Sequence, residues 1–294
     1  MDAFRLDARQ VRRAFGRAAR QGADAAALQR EVERRMLERL EYMRLLPRRV
    51  LDAGCGTGRG IGLLRNRYPQ ADLLGVDFSQ AVIGAASRSE SFAGRVRRFL
   101  RGALSAYLCA DFARLPLPAG AVDMVWSNLA LAWSEDPLAA LREFQRVLAL
   151  GGLLMFSSYG PDTLKELKSA FSAASPARRV HPFVDMHDMG DMLVACGFAA
   201  PVIDVERITL TYARVEDLAR DLKASGQTCA ARDRSRTLTG RDAWRRMLAA
   251  YEHERKDGRL PATVEIVYGH AWKGEPRIAG EGRQIVKWAK KVPG

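Results

Sequence analysis

Apolar and polar positions follow two rhythms along this chain, and the change falls near residue 48. Before it, helical spacing rules. In "ALQREVERRMLERLEYM" the apolar residues Leu28, Val32, Met36, Leu37, Leu40 and Met43 recur mostly three or four apart. That predicts one or two amphipathic helices, an N-terminal helical cap over residues 1–47. After it come the short apolar runs "RRVLDAG", "ADLLGVD", "SAYLCAD", "AVDMVWSN" and "GGLLMFSSY", separated by helical stretches such as "SQAVIGAASR" and "DPLAALREFQRVL". Strand-length runs alternating with helix-length segments predict βαβ units. Residues 48–158 therefore read as an α/β core, a doubly wound, mostly parallel sheet with helices on both faces.

The rhythm loosens beyond residue 158. Residues 159–200 read as mostly helical and end in "DMGDMLVACGF", where Gly197 is placed to close a helix. The alternating stretches 202–212 and 262–273 predict two more strands, with a polar, arginine-rich helical insertion before the last one. Residues 159–273 are thus expected to form a helical substrate lid together with the last sheet strands. Residues 274–294 are expected to be a loosely ordered basic tail.

Composition narrows the class. With 294 residues, 48% of them hydrophobic, the chain can bury one large core with at most a small appendage. Its 47 Lys and Arg against 34 Asp and Glu leave a net charge of +13, which points to nucleic acid, an anionic membrane or an acidic protein as partner. Cys55, Cys109, Cys196 and Cys229 lie far apart without CxxC spacing. Neither a zinc site nor a disulfide framework is expected, and a reducing compartment is. No apolar run approaches the roughly 18 residues of a membrane span, and the first residues are charged throughout rather than signal-like. A cytoplasmic protein, with no membrane partner and no metal, is the expectation.

The chemistry concentrates in "VLDAGCGTGRG", residues 50–60. Gly54, Gly56 and Gly58 alternate directly after the first predicted strand, at the turn where a parallel sheet opens its ligand crevice. The pattern is neither GxGxxG nor a P-loop, which needs a following Lys-Ser/Thr. Asp52, just ahead of the glycines, repels a pyrophosphate and suits a cation. Asp77 ends the next strand, where a carboxylate accepts both hydroxyls of a ribose. Asp111 ends the third. A cation, a ribose and an adenine amine together describe S-adenosylmethionine.

These motifs resemble the class I (Rossmann-like) S-adenosylmethionine-dependent methyltransferases. "VLDAGCGTG", "GVDFS", "ADFARLPLPAGAVDMVWSN" and "LREFQRVLALGGLLMFSSYG" match, in order, that family's glycine-rich loop, ribose acid, adenine-contacting acid with fourth strand, and fifth strand. The resemblance implies cofactor contacts from Asp52, Gly54, Gly56, Gly58, Asp77, Phe78, Asp111, Phe112, Ser127 and Asn128. The flanks "AFGRAARQGADAAALQ", "WSNLALAW" and "DGRLPATVEIVYGHAWK" are similar to the malonyl-acyl-carrier-protein O-methyltransferase family of biotin synthesis, up to about Lys273. One departure stands out: where that family has a tyrosine covering the cofactor, this chain has Gly22. "HPF" and "LPAT" are shared with a mitochondrial assembly factor that hydroxylates an arginine of respiratory complex I, so a protein hydroxylase on the same fold is an alternative reading. An RNA methyltransferase is a third. The chain has "SNLALAW" in place of the Asn/Asp-Pro-Pro-aromatic motif of nucleobase amine methylation and no aromatic-basic RNA signature, so nucleic acid is not the expected partner.

The family's acceptor is a malonyl carboxylate, ionised at neutral pH, so no general base is required. What is required is a cation or hydrogen-bond donors to orient it. The candidates are Tyr159, Arg178, Arg179 and His181; His187, His253 and His270 lack ligand spacing and read as structural. Trp126 and Trp133 read as core or as pocket wall. The partner implied is an acidic acyl carrier protein bearing the malonyl group. Two arginine clusters could dock it: Arg88, Arg95, Arg97, Arg98 and Arg101, and Arg232, Arg234, Arg236, Arg241, Arg245 and Arg246.

Overall fold

In the computed structural model, which describes residues 6–21, 27–89, 105–175, 177–237 and 239–275, the five apolar runs form five parallel neighbours. They are β1 (Arg49–Ala53), β2 (Asp72–Asp77), β3 (Ser105–Cys109), β4 (Val122–Ser127) and β5 (Leu148–Tyr159). Two long strands, β6 (Phe198–Tyr212) and β7 (Leu260–Lys273), complete one sheet in the order β3-β2-β1-β4-β5-β7-β6. β7 runs antiparallel to both neighbours, pairing Tyr159 with Ile266 on one side and Tyr212 with Leu260 on the other. The strand order reverses between β1 and β4, which places the ligand crevice at the carboxyl ends of those strands.

Burial explains the texture of the runs. β1, β4 and the second half of β5 are buried almost residue by residue because helices cover both faces. One face packs Val32, Met36 and Leu40 of the cap together with Ile61 and Leu64. The other packs Leu141, Phe144, Met189 and Leu193. The edge strand β6 instead alternates half-buried with exposed positions.

The helices are α1 (Ala8–Gln21), α2 (Ala27–Arg39), α3 (Arg59–Arg67), α4 (Gln80–Ser89), α5 (Pro137–Val147), α6 (Lys165–Ala174), α7 (Met186–Ala195), α8 (Val215–Ala224) and α9 (Arg241–Glu252), with 3-10 turns at Leu40–Tyr42 and Leu131–Trp133. α5 starts where local chemistry dictates: the Asp136 carboxylate accepts from the Ala139 N–H (2.9 Å) and Pro137 opens the first turn. Such a cap is worth about 1 kcal/mol. Gly197, at φ +79°, does follow α7.

Two sequence expectations need correction. Residues 177–185 are irregular rather than helical, since Pro182 disfavours helix at His181 and Asp185 starts α7 only afterwards. β6 begins at Phe198, inside the stretch read as helical; a register shift between Ala199 and Val202, with Ala200 at φ +45°, breaks the alternation that would have marked it. Gly22, the arginines 95, 97, 98 and 101, and the tail from residue 276 lie outside the described residues.

Candidate functional site

The glycine loop is built by contact and by backbone sign. The Gly54 and Cys55 N–H groups both donate to the Val76 carbonyl (2.7 and 3.0 Å), which pins the loop to β2. Gly54 and Gly58 adopt φ +81° and +86°, and a Cβ on either would meet Ala130 at 2.2 Å or the Tyr107 hydroxyl at 2.7 Å. Gly56 differs. A Cβ there would meet nothing within 4 Å, so open space lies beside it.

Three buried carboxylates surround this loop. Asp77 accepts from the Ser79 N–H (2.9 Å) and the Gly56 N–H (3.3 Å), yet burial outweighs those bonds and pushes its carboxyl up to about 6. Asp52 is raised well above the ordinary carboxylate range by burial first, then by Glu33 and Asp77. Glu33, on α2, is also raised by burial, against the pull of Arg59, whose Nε donates to it at 2.8 Å. No sequence signal singled out Glu33, although an acid beside the apolar stripe Leu28, Val32, Met36 is the mark it left.

The remaining cofactor candidates are distributed less evenly. Phe78 packs with Phe15 and Trp133 around Leu6 and Val11, under the Arg12 guanidinium. Asp111 lies exposed after β3, accepting from the Ala113 N–H (2.9 Å), whereas Phe112 turns inward against Phe144. Ser127 donates to the Ala53 carbonyl (2.9 Å) and ties β4 to β1. Asn128 donates to the Gln29 carbonyl (3.1 Å) and accepts from Ser157 (2.9 Å), fastening the cap to the sheet. The side chains of Ser127 and Asn128 thus serve the protein's own framework.

At the end of β5 an aromatic wall gathers residues from four segments. Trp133 stacks on His181 (5.0 Å) and meets Phe15, Phe183 and Tyr159 edge-on; Trp126 is wholly buried core. Tyr159 Oη and His181 Nδ1 in this wall, and Arg179 Nε two residues before His181, are buried polar atoms without a hydrogen-bond partner. Burial raises the Tyr159 phenol, partly opposed by nearby Gln227, and lowers His181 to about 4, so the imidazole is neutral at physiological pH. Arg178 pairs with Asp233 (2.9 Å), and Arg179 donates to the Thr237 carbonyl (3.1 Å).

Those partners belong to the loop between α8 and α9, which sequence reasoning took for helix. It is bound to the chain's beginning as well: Leu6 bridges Ala231, the Asp7 N–H donates to the Ala230 carbonyl (2.8 Å), and Arg234 pairs with Asp7 (3.0 Å). Of the second arginine cluster, Arg232 also joins this seam through the Leu6 carbonyl and Glu135, while Arg236, Arg241, Arg245 and Arg246 are exposed. Among the described residues no group of three or more His, Cys, Asp or Glu side chains is placed to hold a metal, and no helix is long and apolar enough to cross a membrane.

Space beside Gly56, acids suited to a cation and a strand-end acid suited to a ribose fit S-adenosylmethionine. Residues 51–156 match the family described as "Methyltransferase domain". The fold and crevice define a class I S-adenosylmethionine-dependent methyltransferase. Among solved structures, the YcgJ protein of Bacillus subtilis aligns with a TM-score of 0.57 at 16% identity, covering 84% of this chain and all of that one. The [4+2]-cyclase SpnF aligns at 0.51 and 20% identity over 82% and 81%; likenesses this remote concern the fold alone. Curated relatives are far nearer. A malonyl-acyl-carrier-protein O-methyltransferase of Laribacter hongkongensis is 52% identical over 99% of both chains, and one of Gallionella capsiferriformans is 48% identical over 99% of this chain and all of its own. The chain belongs to the malonyl-acyl-carrier-protein O-methyltransferase family.

Proposed function

We propose that this enzyme methylates the free carboxylate of a malonyl group carried by an acidic acyl carrier protein, in the cytoplasm, as a step of biotin synthesis. Near-full-length similarity to relatives named for that reaction supports it over the hydroxylase reading and the RNA reading. The observation that carries the acceptor chemistry is the pair of unpartnered polar atoms in the aromatic wall around Trp133, Tyr159 Oη and His181 Nδ1, with Arg179 Nε, two residues before His181, as a third.

S-adenosylmethionine supplies an electrophilic methyl group on a sulfonium. The protein's task is to present the other reactant. A malonyl carboxylate, ionised at neutral pH, needs no proton removed, so catalysis reduces to orientation and exclusion of water. The Tyr159 hydroxyl and an Arg179 N–H are donors already stripped of water, so orienting the carboxylate satisfies groups otherwise buried at a penalty. Neutral His181 contributes a hydrogen bond rather than a charge, and its stack on Trp133 fixes the ring plane. Asp77, whose carboxylate is steadied by the Ser79 and Gly56 N–H groups at the end of β2, holds the ribose. Asp52, Gly54, Gly56 and Gly58 shape the methionyl end and Phe78 and Asp111 frame the adenosine side, while Phe112, Ser127 and Asn128 support the crevice from within the framework.

Mass spectrometry of malonyl-acyl carrier protein incubated with the enzyme and S-adenosylmethionine, with malonyl-coenzyme A alongside, tests this. One added methyl on the malonyl group, removed by mild ester hydrolysis, is the expected result. Cofactor binding without transfer to either carrier would overturn the acceptor assignment.

A further inference from the structure

Gln227 is held against the acceptor wall by contacts on either side of it. Gly226, at φ +77°, lies so close to Phe15 that a Cβ there would meet its ring and backbone at 3.1 and 3.2 Å. The Gln227 N–H donates to the Leu222 carbonyl (2.8 Å), and a little further on the Ala230 carbonyl accepts from the Asp7 N–H (2.8 Å). Phe15 meets Trp133 edge-on (5.3 Å), and Trp133 meets Tyr159 in the same way (6.5 Å). The loop is thus set down on α1, and the Gln227 carboxamide comes beside the Tyr159 phenol, close enough to oppose the upward pull of burial. The two groups do not complete a hydrogen bond: Tyr159 Oη is without a partner, as is the buried Thr228 Oγ1 next along the chain. Gln227 itself is only half-buried. A buried hydroxyl that its neighbour fails to satisfy is costly unless a ligand takes it up.

A malonyl thioester offers two acceptors separated by one methylene, the free carboxylate and the thioester carbonyl. The carboxylate is charged and is assigned to Tyr159 and Arg179. The carbonyl is neutral and the weaker acceptor, and a carboxamide N–H is a neutral donor suited to it. We propose that Gln227, presented by the α8–α9 loop, donates a hydrogen bond to the thioester carbonyl while Tyr159 donates to the carboxylate, so that the two side chains read the malonyl group by both its ends. The proposal rests on the malonyl reading of the acceptor. It gives the insertion before the last strand a part in substrate choice. A carboxylate on any chain can meet Tyr159, but only one with a carbonyl a single methylene away also satisfies Gln227.

Two loaded carriers separate this role from others. Acyl carrier protein loaded from malonyl-coenzyme A and from S-(2-carboxyethyl)-coenzyme A presents the same free carboxylate at the same reach, but the second has a methylene where the first has the thioester carbonyl. Losing that carbonyl makes the carboxylate the stronger nucleophile, so intrinsic reactivity favours the second carrier and cannot produce the opposite preference. Mass spectrometry of methyl ester formation gives kcat/KM for each. Wild type should prefer the malonyl carrier about tenfold or more. Gln227→Leu should lower kcat/KM for the malonyl carrier by about that factor and leave the carboxyethyl carrier unchanged, whereas Tyr159→Phe should lower both alike. An equal loss on both carriers in Gln227→Leu would mean that Gln227 acts only through Tyr159 or the loop, and would overturn the proposal, as would an unchanged preference. If Gln227→Leu fails to fold by thermal melting, Gln227→Met takes its place with the same expected result. Equal wild-type rates on the two carriers refute this inference alone, while methylation of neither refutes the malonyl reading beneath it.

Discussion

A single carboxylate shows how binding chemistry is set against stability here. Burial pushes the Asp77 carboxyl up to about 6 in the folded chain, against an ordinary 3.8. A raised value means that folding is favoured with the proton on, and this contribution is lost as pH rises from about 4 to about 6, on the order of 3 kcal/mol. Ribose hydroxyls need the ionised form as acceptor. Asp77→Asn should therefore melt several degrees higher than wild type at pH 7.5 without cofactor, yet bind S-adenosylhomocysteine at least tenfold more weakly; an unchanged melting temperature would refute the linkage. For wild type, affinity should fall below about pH 6. Tyr159→Phe tests the acceptor wall. Removing a buried, unpartnered hydroxyl should leave stability equal or slightly higher, while kcat/KM for the malonyl carrier falls ten- to a hundredfold, and a neutral effect on turnover would dismiss the tyrosine. At this scale the acids at strand ends were legible in sequence, because Asp52 and Asp77 each close an apolar run. Glu33 was not. Its neighbour Asp52 lies on another element, and only the docking of α2 on the sheet brings Glu33 beside it. The aromatic wall was half legible for the same reason: Tyr159 and His181 stood out, but Phe15 and Phe183 acquire meaning only from Trp133 between them.

Among the elements, α1 has contacts in both halves of the crevice. Its Gly16 packs on Ser79, beside the ribose acid, and its Phe15 abuts Gly226 and Trp133, beside the acceptor wall. The Asp7–Arg234 pair at its start is largely shielded, with side chains 25% and 15% exposed. Asp7 is held below the usual carboxylate range by the Gln10 N–H first and then, against burial, by Arg234. Arg234→Ala should loosen α1 and the α8–α9 loop as a unit, seen as faster amide exchange in both segments and a several-fold higher KM for both substrates, and exchange confined to one segment would argue against joint movement. The strands of this architecture were readable because doubly buried strands show as unbroken apolar runs. The α8–α9 loop was not, since its order comes from ion pairs and backbone bonds to residues 55 to 227 positions away in the chain, which no local pattern records.

For the molecule as a whole, the charge of +13 is a long-range property. Exposed Arg236, Arg241, Arg245 and Arg246 lie on and beside α9, next to the loop that covers the acceptor wall. An acidic carrier would be steered there, so kcat/KM for the carrier-bound substrate should drop severalfold between 50 and 300 mM salt, roughly following screening, whereas that for a malonyl-coenzyme A surrogate should change less; equal salt slopes would exclude steering. The sheet order carries one more implication, for how the chain is made. β7, the last strand in sequence, lies between β5 and β6. During synthesis β6 emerges with its place in the sheet still vacant on the β5 side, and it waits through the whole α8–α9 insertion for β7, its sheet neighbour among the described residues. The glycine loop and ribose acid can assemble on the ribosome early. Tyr159, whose strand is completed by Ile266, gains its final surroundings only when translation is nearly over, so a nascent chain can capture cofactor long before it can act on an acceptor.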